Sequence, residues 1–123
     1  MQAFLSAFLL IALTIRLAFA QDPSTSCLLY GPSYQLASDT VEWSMTIASG
    51  QSCVRGLRTA FVVLDGVKLV APPQSGQVTL EGPAFVYKGD SNFRGDDSFS
   101  VLVSGRLNRL SGSSTIKINV SVK

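Results

Sequence analysis

Arginine is the residue type whose spacing in this sequence best supports a binding function. Arg55-Gly-Leu-Arg58 and Arg106-Leu-Asn-Arg109 are two short segments that each carry a pair of arginines. A guanidinium group presents a planar fork of N–H donors that matches carboxylate and phosphate oxygens. Loops at the end of a rigid scaffold are common binding surfaces. We therefore take Arg55, Arg58, Arg106 and Arg109 as candidate binding residues if the fold brings both segments to one end; the alternative is that they are ordinary solvated turn residues.

Most catalytic and metal chemistry is excluded by composition. The 123 residues include no histidine and only two cysteines, so they supply neither a Ser-His or Cys-His nucleophile pair, nor a His-ligated metal, nor a four-cysteine cluster. The eight acidic residues are scattered and form no evident acid–base pair. A net charge of +2 without clustering argues against nucleic-acid binding. The sequence predicts a protein that is not an enzyme and has no cofactor.

Calcium is the one metal for which the sequence offers candidate ligands. The segment Asp90-Ser-Asn92-Phe-Arg-Gly95-Asp96-Asp97 begins like an EF-hand loop. Its fifth position is an arginine and its twelfth is Val101 in place of glutamate, so an EF-hand is rejected. Asp90, Asn92, Asp96 and Asp97 remain weak calcium candidates, and a solvated turn is the simpler interpretation.

The N-terminal twenty residues are typical of a signal peptide. The run from Ala3 to Ile15 is mostly apolar, and the tripeptide Ala18-Phe19-Ala20 has the small residues that signal peptidase accepts. Thirteen residues are too few to span a bilayer, for which a helix needs about 20. We expect a signal helix over residues 1–20, cleaved after Ala20, and a secreted or periplasmic mature chain without a transmembrane span. The alternative is a retained N-terminal anchor.

An exported chain would carry its two cysteines into an oxidising compartment. An oxidising compartment favours a disulfide between Cys27 and Cys53. A reactive thiol would need an activating base or a Cys-x-x-Cys motif, and neither is present.

Beyond a polar lead-in at residues 21–26, the chain alternates apolar and polar residues with a period of two. The clearest case is the C-terminal strand, where Ile116, Ile118, Val120 and Val122 alternate with polar residues. Val41–Ile47 and Ser98–Val103 show the same pattern, and Asp65-Gly66 is typical of a hairpin turn between two short apolar runs. We predict an all-β, immunoglobulin-like antiparallel β-sandwich of about seven or eight strands over residues 27–123, with a closed barrel as the alternative.

The C-terminal half has a more specific pattern. Gly76-Gln-Val78, Phe85-Val-Tyr87 and the segment Phe93-Arg-Gly95-Asp-Asp97-Ser98-Phe99 follow one another, before Gly112 opens the last strand. This half resembles the cadherin-like, immunoglobulin-fold repeats of bacterial exported and surface proteins, which carry G-x-V, a later tyrosine and F-x-G-x-D-S-F. The resemblance implies an immunoglobulin-like sandwich, adhesive roles in tandem arrays, and calcium held between neighbouring repeats.

These features together predict an exported, non-catalytic module that binds an envelope protein or a glycan. One alternative is a structural or assembly subunit that acts through exposed strand edges. A calcium-dependent adhesion module is a further alternative.

Overall fold

The computed structural model describes residues 27–123, so the predicted signal peptide and lead-in (1–26) lie outside the described residues. The described chain folds into eight β-strands and no helix. In chain order they are β1 (Cys27–Tyr30), β2 (Asp39–Ile47), β3 (Ser52–Gly56), β4 (Val62–Ala71), β5 (Gly76–Glu81), β6 (Ala84–Gly89), β7 (Gly95–Leu107) and β8 (Leu110–Val122).

The strands form two sheets that share no strand. The larger sheet has the order β1-β2-β8-β7-β4, and the smaller sheet has the order β3-β6-β5. Every neighbouring pair is antiparallel except β2 and β8, which run parallel over nine residue pairs from Asp39↔Ser114 to Ile47↔Val122. This two-sheet arrangement confirms the prediction of an all-β sandwich.

The core lies between the sheets, where the inward residues of alternating strands meet. In β8, Ile116, Ile118 and Val120 are buried, while Lys117 and Asn119 between them are exposed. This is the pattern that the sequence predicted for the last strand, and it follows from the alternation of side chains across a pleated strand.

An aromatic cluster connects the two sheets at the centre of the core. Phe99 on β7 packs against Phe85 and Tyr87 on β6, with ring centroids 5.2 Å and 5.7 Å away. The Phe85 contact is edge-to-face and the Tyr87 contact is stacked, and all three side chains are no more than 1% exposed. Such pairs add about 0.5–1.5 kcal/mol each beyond the burial of apolar area.

The disulfide between Cys27 and Cys53 is confirmed. It joins β1 of the larger sheet to β3 of the smaller one, with the two Cα atoms 5.6 Å apart. Both residues are buried in the common core. The bridge therefore links the sheets covalently at their β1–β3 side.

The predicted hairpin at Asp65-Gly66 is wrong. Both residues lie inside β4, a continuous strand that pairs with β7 on either side of them. The register shifts between Leu64 and Gly66, so Asp65 is the extra residue of a β-bulge. The short strands β1 and β3 were also missed, because four or five residues are too few for a convincing alternation.

Removal of the disulfide should lower stability without changing the fold. The bridge closes a loop with a sequence separation of 26, which constrains the unfolded chain by roughly 3.5 kcal/mol in the loop-entropy model. We expect reducing agent to lower the melting temperature of the oxidised protein, measured by circular dichroism. A Cys27→Ala/Cys53→Ala variant should melt at the reduced temperature with or without reductant, and an unchanged melt on reduction would contradict a stabilising bridge.

Phe99→Ala should remove the contact between the sheets. The lost aromatic packing and the cavity left behind predict a decrease of about 3–5 kcal/mol in the free energy of unfolding. Ser100→Ala is a suitable control, since Ser100 lies on the opposite face of the same strand. Urea denaturation measures both variants, and a loss below about 1 kcal/mol for Phe99→Ala would show that this ring does not hold the core together.

Candidate binding end of the sandwich

The topology places all four candidate arginines at one end of the sandwich. At this end β1, β3, β5 and β7 finish, while β2, β4, β6 and β8 begin. Arg55 is the penultimate residue of β3 and Arg58 follows in the β3–β4 connection; Arg106 is the penultimate residue of β7 and Arg109 lies in the β7–β8 turn. We call this the arginine end. Two segments about fifty positions apart in sequence therefore lie at the same end of the sandwich.

The arginines are spread over this end rather than gathered in one pocket. Arg55 borders a groove of about 200 Å³ beside Tyr30 and Trp43, at the β1–β3 side. Arg58 borders a different groove, of about 270 Å³, beside the β4 bulge and the β5–β6 turn. Arg106 lies on the outer face of the larger sheet, with Nε 3.7 Å from Oδ2 of Asp65. Both of these side chains are more than half exposed, so their ion pair contributes little to stability.

The β7–β8 turn holds Arg109 out at the tip of a tight hairpin. Leu107 pairs with Leu110, so only Asn108 and Arg109 form the turn, and their φ angles are 51° and 71°. Two consecutive residues of positive φ match the right-handed twist of a two-residue hairpin. Arginine is an unusual residue at the second position, because a side chain with a Cβ is disfavoured in the left-handed region.

The β1–β2 connection reaches β8 at the arginine end and is fixed there by Asp39. Its carboxylate accepts hydrogen bonds from the backbone N–H groups of Gln35 (2.9 Å) and Ala37 (3.1 Å) and from the Ser114 hydroxyl (2.5 Å). The buried Ser114 oxygen in turn accepts the N–H of Leu36 at 2.8 Å. Partial burial raises the pKa of Asp39, but the hydrogen bonds lower it by more. The net result is a pKa below the ordinary value of 3.8.

Two hydrogen bonds fix the β3–β4 connection, which carries Arg58. The buried Tyr34 hydroxyl donates to the carbonyl oxygen of Leu57 at 2.5 Å, and the Leu57 N–H donates to the carbonyl oxygen of Pro83 at 2.7 Å. Leu57 is itself 1% exposed. The residue before Arg58 is therefore anchored in the core, while Arg58 is exposed.

Sequence reasoning missed a group of exposed apolar side chains at the same end. Phe61 is 87% exposed, Leu110 is 75% exposed and Val63 is 54% exposed. Phe61 begins the apolar run before Asp65-Gly66, but β4 starts one residue later, at Val62. The apolar run alone could not reveal this, because exposure depends on where the strand ends relative to the core.

The weak calcium candidates lie at the opposite end of the sandwich. There the Asp97 carboxylate accepts hydrogen bonds from the β4–β5 loop. Oδ1 accepts the N–H groups of Gln74 and Ser98, both at 2.9 Å. Oδ2 accepts the N–H of Ser75 at 3.1 Å and the hydroxyl of Tyr87 at 2.9 Å. Burial raises the pKa of Tyr87, and the hydrogen bond to Asp97 and its negative charge raise it further.

The other calcium candidates do not join Asp97 in a metal cluster. Asp96 is its neighbour on β7 and so points to the opposite face of the sheet. Asp90 and Asn92 lie in the β6–β7 turn, where the backbone carbonyl of Asp90 accepts the N–H of Phe93 at 3.0 Å. Within residues 27–123, no three His, Cys, Asp or Glu side chains are placed to hold a metal ion together.

The largest groove described, of about 550 Å³, crosses the outer face of the larger sheet near Asp96. Polar side chains line most of it, among them Gln74, Ser98, Ser100 and Asn119. Its small side chains leave a shallow depression on a solvated sheet face, with Lys117 as the cation on its wall.

The fold thus defines an all-β, two-sheet sandwich with a disulfide between the sheets. No protein-family model matches the chain, and a search of curated proteins finds no significant match. In the part of the chain that the structure describes, no helix has the length and apolarity to cross a membrane.

The pKa of Asp39 predicts a loss of stability in acid. A carboxyl whose pKa is lowered by folding stabilises the protein above its unfolded value, and the contribution disappears as the pH falls below about 3.8 through the lower folded value. We expect Asp39→Asn to destabilise the protein at pH 6 and to differ much less from wild type at pH 2.5, in urea denaturation at both pH values. Glu42→Gln is the control, since the Glu42 side chain is 65% exposed, and an equal effect of both substitutions would contradict a special role for Asp39.

Proposed function

We propose that this protein is an exported, non-catalytic binding module of the cell envelope or extracellular space, which binds an anionic partner through the arginine end. The observation that carries the proposal is the topology: two arginine pairs from distant segments lie at one end of a rigid sandwich. Loops at the end of a rigid scaffold can vary in chemistry without disturbing the core that supports them.

The partner that suits this end is extended rather than a small molecule. The four guanidinium groups are spread across the end, and the grooves beside Arg55 and Arg58 are shallow and separate. Carboxylates, sulfates or phosphates displayed along an envelope protein, an anionic glycan or a surface would meet several arginines at once. Binding through several weak, separated contacts gives salt-dependent affinity.

An exported location is part of the proposal. The apolar N-terminal run with Ala18-Phe19-Ala20 supports a signal peptide cleaved before Gln21, and the disulfide is compatible with a secreted or periplasmic protein. The cadherin-like resemblance of the C-terminal half supports a role at the cell surface. Its F-x-G-x-D-S-F segment contains Asp97, which here ties the β4–β5 loop to Tyr87.

Replacement of the four arginines should weaken binding to a polyanion. We expect Arg55→Ala/Arg58→Ala/Arg106→Ala/Arg109→Ala to bind an immobilised sulfated glycan at least tenfold more weakly than wild type at 0.15 M salt, because the cations that face the polyanion are lost. Surface plasmon resonance measures this binding, and circular dichroism verifies that the variant is folded.

The matched control carries the same change in net charge elsewhere. Lys68, Lys88, Arg94 and Lys123 lie on the body or the opposite end of the sandwich, and alanine at all four should reduce the affinity much less. Equal weakening by both variants would show that only net charge matters, and unchanged binding by the first would overturn the proposal.

A further inference from the structure

Two large apolar side chains project into solvent at the arginine end without any packing partner that covers them. Phe61 is 87% exposed and Leu110 is 75% exposed. They are the two most exposed large hydrophobic side chains in the part of the chain that the structure describes. Isolated exposed apolar residues are common, but here two lie at one end of the molecule together with its arginines.

The strand register places the backbones of these two residues near each other. Val62 pairs with Leu107, and Leu107 pairs with Leu110, so the start of β4, the end of β7 and the start of β8 lie side by side. Phe61 precedes Val62 directly. Neighbouring strands are about 4.8 Å apart, so the backbones at Phe61 and Leu110 lie on the order of 10 Å from each other. We call these two residues and the turns that carry them the apolar tip.

The backbone at Phe61 is evidence that this exposure has a role. Its φ angle is 71°, in the left-handed region that bulky residues with a Cβ seldom adopt. A phenylalanine usually offsets such a cost by packing its ring in the core, yet this ring is almost fully exposed. Phe61 thus combines an exposed aromatic ring with an unfavourable backbone conformation, and such conformations cluster at functional sites.

Three arginines lie close in sequence to the residues of the apolar tip. Arg109 is next to Leu110 in the hairpin turn, Arg106 is one residue from the end of β7, and Arg58 lies three residues before Phe61. Asp65 already pairs with Arg106, and Asp39 at the start of β2 and the exposed Glu81 at the end of β5 are further acids at the arginine end. The tip is therefore apolar at its extremity and cationic behind it.

We propose that the apolar tip docks onto an anionic phospholipid bilayer, with Phe61 and Leu110 inserted at the boundary between headgroups and acyl chains and with the arginines on lipid phosphates. Two highly exposed apolar side chains at one end of the sandwich suit a soft surface better than a ligand that must be enclosed. Interfacial binding of proteins combines apolar insertion with attraction of basic residues to anionic lipids, each basic residue adding about fivefold to affinity. This inference rests on the proposed function, because it assigns the partner of the arginine end.

Vesicle binding tests this assignment. The chain from Gln21 onward contains the whole of both sheets and their shared core, and it avoids the apolar N-terminal segment. We expect it to float with vesicles of phosphatidylcholine containing 30% phosphatidylglycerol, and to bind pure phosphatidylcholine much more weakly. Phe61→Ser/Leu110→Ser should bind the anionic vesicles at least tenfold more weakly, with an unchanged thermal melt, because both positions are exposed.

A matched control variant separates the tip from general hydrophobicity. Leu28 and Val70 are 55% and 52% exposed and lie towards the other end of the sandwich. Leu28→Ser/Val70→Ser should bind the same vesicles within about twofold of wild type. Phe61→Trp provides a second readout: brominated lipids should quench its fluorescence, whereas the buried Trp43 alone should be unaffected.

The outcomes distinguish this inference from the proposed function. If the protein binds the sulfated glycan through its arginines but binds anionic vesicles no better when the tip is intact than when it is serine, the lipid assignment is wrong and the proposed function stands. If vesicle binding depends on the tip but not on the four arginines, the placement of the arginines on lipid phosphates is wrong; if glycan binding is also unchanged in the four-arginine variant, the proposed function fails. A concentration-dependent dimer that forms without lipid and is lost in Phe61→Ser/Leu110→Ser would overturn the lipid assignment in favour of a protein–protein interface.

Discussion

The packing of Phe99 between Phe85 and Tyr87 is the contact on which the rest of this structure depends. The two sheets share no strand, so backbone hydrogen bonding within each sheet does nothing to align one with the other. Their relative position is determined by side chains of the common core, with the aromatic cluster at its centre and the Cys27–Cys53 bridge at one side. Asp97 extends this cluster, since it lies two residues before Phe99 and accepts the Tyr87 hydroxyl. One short segment of β7 therefore packs the core and closes the end of the sandwich opposite the arginines.

The two arginine segments lie at the same end of the sandwich because the chain reverses direction an even number of times between them. Between Arg58 and Arg106 the chain passes along β4, β5, β6 and β7, an even number of strands, and so returns to the end from which it left. The hairpin predicted at Asp65-Gly66 would have added one reversal and placed the two arginine pairs at opposite ends. The structure has a β-bulge there, which takes in the extra residue and lets the strand continue. A single local choice between a turn and a bulge thus decides whether the candidate site is assembled.

The sequence predicted what depends on local pattern and failed where the outcome depends on tertiary pairing. The last strand follows from its own alternation of apolar and polar residues, but its parallel pairing with β2, far away in sequence, does not. By contrast, Asp-Gly favours a turn and a bulge alike, and only the pairing of both halves of β4 with β7 distinguishes them. Phe61 is likewise apolar in a strand-like run, and its exposure is determined by the end of β4 rather than by its own type.

The structure also bears on whether strand edges or the end of the sandwich are the better interaction surface. The longest edge strand, β4, has ten residues, but its register is broken at Leu64/Gly66 and again at Leu69/Ala71, and Lys68 lies between the two breaks. Bulges and lysines are features that prevent an edge from pairing with another chain. The remaining edges, β1, β3 and β5, have only four to six residues. At the arginine end, in contrast, exposed phenylalanine, leucine and arginine side chains are held on short turns, and the backbone at Phe61 is strained in doing so. The edges are therefore short or interrupted, whereas the arginine end presents exposed apolar and cationic side chains, and this supports our proposal that the end is the interaction surface.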